Sequence, residues 1–338
     1  MQREKVFPAK KEDAKAQRKI LFLIKQSQMT DMAENKSAIG SQQSAILKRV
    51  LILGGGGMLG HKLYQIFGER FDTFVTLRGG LKRFERFNLF IPEKTIEGID
   101  ATDFDTVTRA FVKVKPDVVV NAIGVIKQLK EAKDPVTSLT INALFPHRLA
   151  LLCQATGARL ISMSTDCVFD GRKGNYTEDD NANAEDLYGR AKFLGEVTGE
   201  NCLTLRTSII GRELETSHSL VEWFLSNRGA QVRGFTKAIY TGFPTVVMSQ
   251  LISDIIDNHK DLTGLYQVAG EPINKYELLC LLRDAYEIDV EIEPFDDFVL
   301  DRSLNGEKFN QATGFKPKSW RELVEEMAND KTPYDDWR

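Results

Sequence analysis

The chain has 338 residues, a formal charge of −3 and 42% hydrophobic residues, enough for one large α/β domain with a smaller one and a substantial core. So even a charge balance gives no electrostatic reason to expect nucleic-acid binding. The four cysteines, Cys153, Cys167, Cys202 and Cys280, and the four histidines show no metal-ligand or disulfide-framework spacing, which argues against a metal site and a secreted scaffold and for a reduced, cytoplasmic protein.

Residues 1–47 are rich in Lys, Gln, Ser and Ala. Their one apolar run, 20–24, is far too short to span a bilayer and lacks the pattern of a secretory leader. A disordered or loosely helical extension is expected, with a basic helix touching a membrane or a partner as the alternative. No membrane is otherwise expected among the partners.

The organised chain begins at Lys48. Arg49-Val50-Leu51-Ile52-Leu53 reads as a buried parallel strand. Gly54-Gly55-Gly56-Gly57-Met58-Leu59-Gly60 follows, and 61–67 has helical spacing. Strand, glycine turn and helix make the phosphate-binding corner of a dinucleotide fold. Glycines let the backbone approach a pyrophosphate, and the free N–H groups of a helix start hold its charge. Gly54, Gly57 and Gly60 fit GxxGxxG, so these three with Met58 and Leu59 are the candidate pyrophosphate residues.

Strands and helices then alternate: strands at 73–77, 95–99, 117–120, 159–163 and 202–205, and helices at 102–114 and 134–155. This predicts a Rossmann-type α/β fold, a doubly wound parallel sheet with right-handed crossovers. Ligands in such sheets bind beyond the carboxyl ends of the strands. Arg78 follows the second strand, where a cation suits the 2′-phosphate of NADPH better than NADH; the alternative is a solvated surface arginine. Asp100 follows the third and is placed to accept from the adenine amino group. Asn121, Ala122 and Ile123 follow the fourth, where small residues let a cofactor lie against the backbone.

Ser164-Thr165-Asp166 follows the fifth strand, and Tyr188-Gly189-Arg190-Ala191-Lys192 lies in a predicted helix. Tyr and Lys four apart share a helical face. Carbonyl reduction needs such a pair: a hydride is delivered, and a proton must reach the developing alkoxide. A phenol titrates near 10, and an adjacent ammonium favours its ionised form. A hydroxyl such as that of Thr165 can orient the substrate oxygen. The candidate catalytic residues are therefore Thr165, Tyr188 and Lys192, the last two also bordering the cofactor.

Ser164 to Gly171 closely resembles the STDYVFDG segment of dTDP-4-dehydrorhamnose reductases. Tyr188 to Lys192 with Gly195-Glu196 resembles their YGxxKxxGE motif, Arg206-Thr207-Ser208 their RTS segment, and Gly242-Phe243-Pro244-Thr245 their GxPT. The resemblance covers roughly residues 48–327. It implies an extended short-chain dehydrogenase/reductase that uses NADPH to reduce the 4-keto group of a nucleotide-linked 6-deoxy sugar for cell-surface polysaccharide. It further implies Thr165 as hydroxyl donor, Tyr188 as acid, Lys192 as its modulator, and Asn142 as support for the lysine through a water relay. Two segments depart from the pattern: the four-glycine corner, and Asn121 to Lys127 in place of NxAAYT. Both border the nicotinamide and the sugar, so a related 4-keto-6-deoxy or acetamido sugar linked to a nucleotide also fits.

The C-terminal third reads as a small α/β substrate domain. It has a Gly/Pro loop at 240–245, a helix at 246–258, a strand at 265–268, a helix at 274–285, a polar turn at 301–304 and a helix at 320–327. Asp166, Val168 and Arg302 are candidate substrate contacts. Arg302 and Lys308 suit a substrate pyrophosphate, or else form surface ion pairs. Expected boundaries are 48–235 for the cofactor domain, 236–330 for the mainly C-terminal substrate domain partly interleaved with it, and 331–338 for a tail. The expected partners are a nucleotide sugar and a second copy in a homodimer. Two other roles remain: an NADP-binding regulatory subunit, like the β subunit of methionine adenosyltransferase, or a nucleotide-sugar epimerase.

Overall fold

Val50 to Leu53 and Val118 to Val120 are apolar on both faces, which suits only the interior of a sheet covered on both sides. In the computed structural model, which describes residues 47–337, these two runs are the central strands. Residues 1–46, where most of the expected extension falls, lie outside the described residues. The seven parallel strands are β1 (Arg49–Leu53), β2 (Asp72–Thr76), β3 (Thr95–Ile96), β4 (Val118–Asn121), β5 (Arg159–Ser164), β6 (Cys202–Arg206) and β10 (Gly264–Gln267). Their order is β10-β6-β5-β4-β1-β2-β3. The reversal beside β1 and β4 is the switch point at which such sheets bind ligands.

Helices α1 (Met58–Phe67), α2 (Phe104–Val114), α3 and α4 (Leu187–Leu194) connect the strands. Helix α3 has three consecutive pieces, Pro135–Ser138, a π-helical Leu139–Leu144 and Phe145–Thr156. The span Pro135–Thr156 is long and apolar enough to cross a membrane by length and composition. Here its Ile141, Phe145, Leu149 and Cys153 are buried in the core on one side of the sheet.

The C-terminal part differs more from expectation. β7 (Ile209–Ile210), α5 (Leu220–Leu225), β8 (Gln231–Tyr240), β9 (Phe243–Pro244), α6 (Thr245–Asn258), β11 (Ile273–Asn274), α7 (Lys275–Ala285), β12 (Glu291–Asp301), α8 (Glu307–Thr313) and α9 (Trp320–Ala328) complete the described chain. A second sheet runs β11-β8-β12, with β11 antiparallel to β8 and β12 parallel to it. The expected loop at 240–245 is instead the end of β8 and the short β9, which pairs with β7. The expected boundary at 235/236 falls inside β8, and β10 returns to the main sheet beside β6.

The expected tail is a packed strap. Tyr334 is buried, and its hydroxyl meets His61 Nε2 at 2.6 Å while His61 Nδ1 contacts the Gly57 carbonyl at 2.8 Å. Lys62 pairs with Asp330 at 2.5 Å and donates to Thr332 at 2.9 Å. Trp337 packs edge-on against Phe87. The strap explains why the polar His61 and Lys62 are buried on α1.

Burial holds the His61 imidazole down to about 4, against about 6.5 in an unfolded chain. The neutral folded form therefore stabilises fully above pH 6.5, and that contribution is lost as pH falls towards 4. The loss is about 3 kcal/mol. Thermal melts of wild type and His61→Gln at pH 7 and 4 read it. The variant is expected to lose less stability on acidification, and equal losses would remove His61 from the account.

Candidate active site

The glycine corner is shaped by close approach. Gly54 has φ +93°, and a Cβ on Gly60 would sit 2.1 Å from the Gly54 carbonyl oxygen, so neither position accepts a side chain without moving the turn. Thr76 secures the corner from β2, its hydroxyl accepting from Gly54 N at 3.1 Å and its carbonyl from Gly55 N at 2.8 Å. Gly57 caps α1 without a side-chain hydrogen bond, and no acidic residue lies in the first turn. The amide donors at Met58, Leu59 and Gly60 thus meet no capping side chain or carboxylate, the arrangement that suits a pyrophosphate.

Arg78 lies after β2, strongly exposed, with its Nε 3.2 Å from Asp100. Asp100 also accepts from the backbone and hydroxyl of Thr102 at 2.8 and 2.7 Å. The two side chains expected to read the adenosine half therefore stand together. Asn121 ends β4 and turns inward, donating to Ser162 at 3.3 Å and accepting from Ile123 N at 3.1 Å. Ala122 and Ile123 crowd Gly54 across the switch point.

Thr165 and Tyr188 meet beyond β5. Thr165 is buried, accepts from Cys167 N at 3.2 Å and donates to Asp166 at 3.0 Å. Helix α4 is brought against this loop and against α3 by three local features. Asp186 caps it by accepting from Gly189 N at 2.9 Å. A Cβ on Gly189 would lie 2.1 Å from the Cys167 carbonyl, and one on Gly195 2.0 Å from the Asn142 carbonyl. The glycines flanking Tyr188 and Lys192 are thus contact points between helix and neighbours.

Burial pushes the Tyr188 phenol well above its ordinary range. Cys167, Asp166 and Asp186 add to the rise, and the Thr165 side chain opposes it. Tyr188 is a protonated acid throughout the neutral range. Lys192, the expected modulator, lies one turn further along the same helix. Its Nζ donates to the Met163 carbonyl at 2.7 Å. Burial pushes Lys192 down to about 8, with Glu196 resisting.

Asn142, the residue implied to support the lysine, lies in the π-helical piece of α3. Its side chain clamps the Val125 backbone, accepting from N and donating to O at 3.0 Å each. What it turns toward α4 is its backbone carbonyl, exposed to Gly195 by the π-helical turn.

Sequence reading missed three groups. Glu196 binds Arg206 through both oxygens at 2.7 Å and accepts from Ser164 at 2.6 Å. Tyr240 ends β8 with a buried hydroxyl that has Ser208 beside it but no well-formed hydrogen bond. Lys275 opens α7 with its ammonium 5.6 Å from the Tyr240 ring centre, within the field of Asp166 and Cys167. Glu196 lay visible in the GE of the YGxxKxxGE motif, and Arg206 in RTS. Tyr240 and Lys275 carry no local signal.

Arg302 does reach the site, but its guanidinium is engaged by the Phe169 carbonyl at 2.8 Å and Cys167 Sγ at 3.5 Å. Lys308 donates to the Leu265 carbonyl on edge strand β10 at 3.0 Å and lies over Tyr266. Val168 is fully buried in a small apolar cluster with Phe169, Tyr176 and Leu304. It also borders an open cleft of about 260 Å³ whose other walls include Arg190 and Phe193, not Tyr188 or Lys192.

The family model for the RmlD substrate binding domain matches residues 48–332. Methionine adenosyltransferase 2 subunit beta of Xenopus tropicalis is 28% identical over 262 residues, covering 71% of this chain and 73% of the relative. A dTDP-4-dehydrorhamnose reductase of Mycolicibacterium smegmatis is 33% identical over 151 residues, covering 44% of this chain and 40% of its own. Among solved structures, the dTDP-4-dehydrorhamnose reductase of Bacillus anthracis in complex with NADP superposes with TM-score 0.66 at 21% identity, covering 84% of this chain and 99% of that one.

Proposed function

The chain belongs to the RmlD substrate binding domain family, and from that premise we propose that it is an NADPH-dependent reductase of the 4-keto group of a nucleotide-linked 6-deoxy sugar. One observation carries the reading: Thr165 and a protonated Tyr188 meet beyond β5, with Lys192 one turn along the same helix. A phenol held protonated by burial is a donor, the form a reduction needs at the alkoxide oxygen. Thr165 supplies a second hydroxyl to orient that oxygen. Lys192, cationic below about pH 8, is assigned to the nicotinamide ribose. Bound NADPH supplies the hydride.

The glycine corner fits the pyrophosphate, and Arg78 favours NADPH through its 2′-phosphate; the Bacillus anthracis relative was solved with NADP. Arg78→Ala is expected to weaken NADPH about tenfold or more and spare NADH, since a charge-assisted contact is worth roughly 1.5–3 kcal/mol. Equal weakening of both cofactors in a fluorescence titration would sink the assignment. In this reading the enzyme works in the cytoplasm on precursors of cell-surface polysaccharide. A homodimer would cover the apolar Val136, Leu139, Leu144 and Leu151 that α3 leaves exposed.

A second reading is favoured by the similarity to the methionine adenosyltransferase subunit over 71% of this chain. There the protein binds NADP and a partner without turnover. Following NADPH absorbance with a panel of nucleotide 4-keto sugars separates the two. Oxidation by any of them supports the reductase. Cofactor binding with none reduced overturns it in favour of the regulatory subunit.

A further inference from the structure

We propose that Lys275, on the C-terminal part of the chain, is a substrate-binding residue that holds an oxyanion of the nucleotide sugar, a phosphate or a carboxylate, above the Thr165–Tyr188 pair. The inference rests on the reductase reading only for which sugar end meets Tyr188. Its foundation is the company Lys275 keeps. Its ammonium lies over the Tyr240 ring, and Asp166 is the nearby carboxylate whose charge favours it. Asp166 also acts on Tyr188 and on Tyr240. Lys275, Tyr240, Asp166 and Tyr188 therefore belong to one cluster, drawn from α7, β8, the loop after β5 and α4.

Every other cation around that cluster is committed to a protein acceptor. Arg302 is held by the Phe169 carbonyl, Lys127 by Asp186 at 2.8 Å, Arg190 by the Ala184 carbonyl at 3.0 Å and Arg206 by Glu196. Lys308, expected to share the pyrophosphate with Arg302, is held by Leu265 at the sheet edge. Lys275 has no hydrogen bond or ion pair among the described residues. A partly buried ammonium without an acceptor is costly, and burial indeed lowers its proton affinity.

The charge of Asp166 offsets only part of that cost, since burial is the larger effect. Lys275 is the first residue of α7, where the helix dipole disfavours a cation, and the cap is made by Asn274 and Glu277 without it. The Tyr240 ring is near the outer limit of cation–π reach. The Tyr240 hydroxyl is a second buried group lacking a well-formed partner. An ammonium without an acceptor, lying over the ring of a tyrosine whose hydroxyl lacks a well-formed partner, is complementary to an anionic oxygen. Residues from two sheets would thereby close on one substrate.

Calorimetric titration of the full chain with NADP⁺ present tests this, using UDP, dTDP, UDP-glucose and UDP-glucuronate as probes. Lys275→Met, Lys275→Gln and Lys275→Arg are compared with Lys308→Met. If the oxyanion is a phosphate, Lys275→Met and Lys275→Gln weaken UDP or dTDP about tenfold or more. Lys275→Arg then restores most of the affinity, and Lys308→Met and the NADP⁺ affinity stay unchanged. If it is a carboxylate, wild type prefers UDP-glucuronate to UDP-glucose about tenfold and the neutral variants lose that preference. No change beyond threefold with any probe in folded Lys275→Gln overturns the proposal, as does failure of wild type to bind any probe. Lys275-dependent binding without reduction of any keto sugar sustains the proposal and overturns the reductase reading instead.

Discussion

Tyr188→Phe is expected to lower turnover of the matching keto sugar by about 10²- to 10⁴-fold, the usual contribution of a positioned general acid. The ring and its packing against the loop after β5 are retained, so NADPH affinity and melting temperature should hold. The phenol acts on the alkoxide as charge develops and contributes little to ground-state binding. Lys192→Met is expected to weaken NADPH as well as turnover, because its ammonium is the group assigned to the ribose. Thr165→Val should reduce turnover with less effect on cofactor. Single-turnover NADPH oxidation with cofactor titration separates the three. Near-normal oxidation by Tyr188→Phe would end the acid assignment.

Arg206→Met is expected to cost about 3–5 kcal/mol of stability, the range for breaking a buried ion pair from one side. Arg206 and Glu196 are 3% and 6% exposed and share two 2.7 Å hydrogen bonds. Removing the guanidinium strands the Glu196 carboxylate with only Ser164 as donor. Glu196 also lies one turn after Lys192 and supports its charge. Adding Glu196→Leu to Arg206→Met should recover most of the stability, since the cost lies in the unpaired charge and not in the missing pair. Denaturant melts of both variants check this. A double variant as unstable as the single one would show that packing against Phe169, over which Arg206 lies, dominates instead.

Six strands of the sheet were legible as short runs closed by a glycine or polar residue, whereas the seventh, β10, read along the chain as part of the C-terminal domain, joins the sheet only by pairing with β6. Met58 joined the helix three residues before the periodic pattern begins because a glycine cap leaves no side-chain marker. β12 escaped notice for a different reason: it carries Glu291, Glu293, Asp296 and Asp297 and is largely exposed, so no alternation marks it. Pairing with β8, whose Val232, Gly234, Ala238 and Tyr240 are buried, makes it a strand.

Local order along the chain determined the Rossmann-type sheet, the glycine corner, and Tyr188 and Lys192 on one helical face, because each depends on neighbours within a few positions. The tertiary structure alone decided which charges are satisfied. His61 meets Tyr334 across 273 residues, Arg302 is taken by Phe169 across 133, and Lys275, beside Tyr240, is left without an acceptor among the described residues. Hydrogen bonding and desolvation depend on distance in space, and no pattern read along a sequence contains that distance.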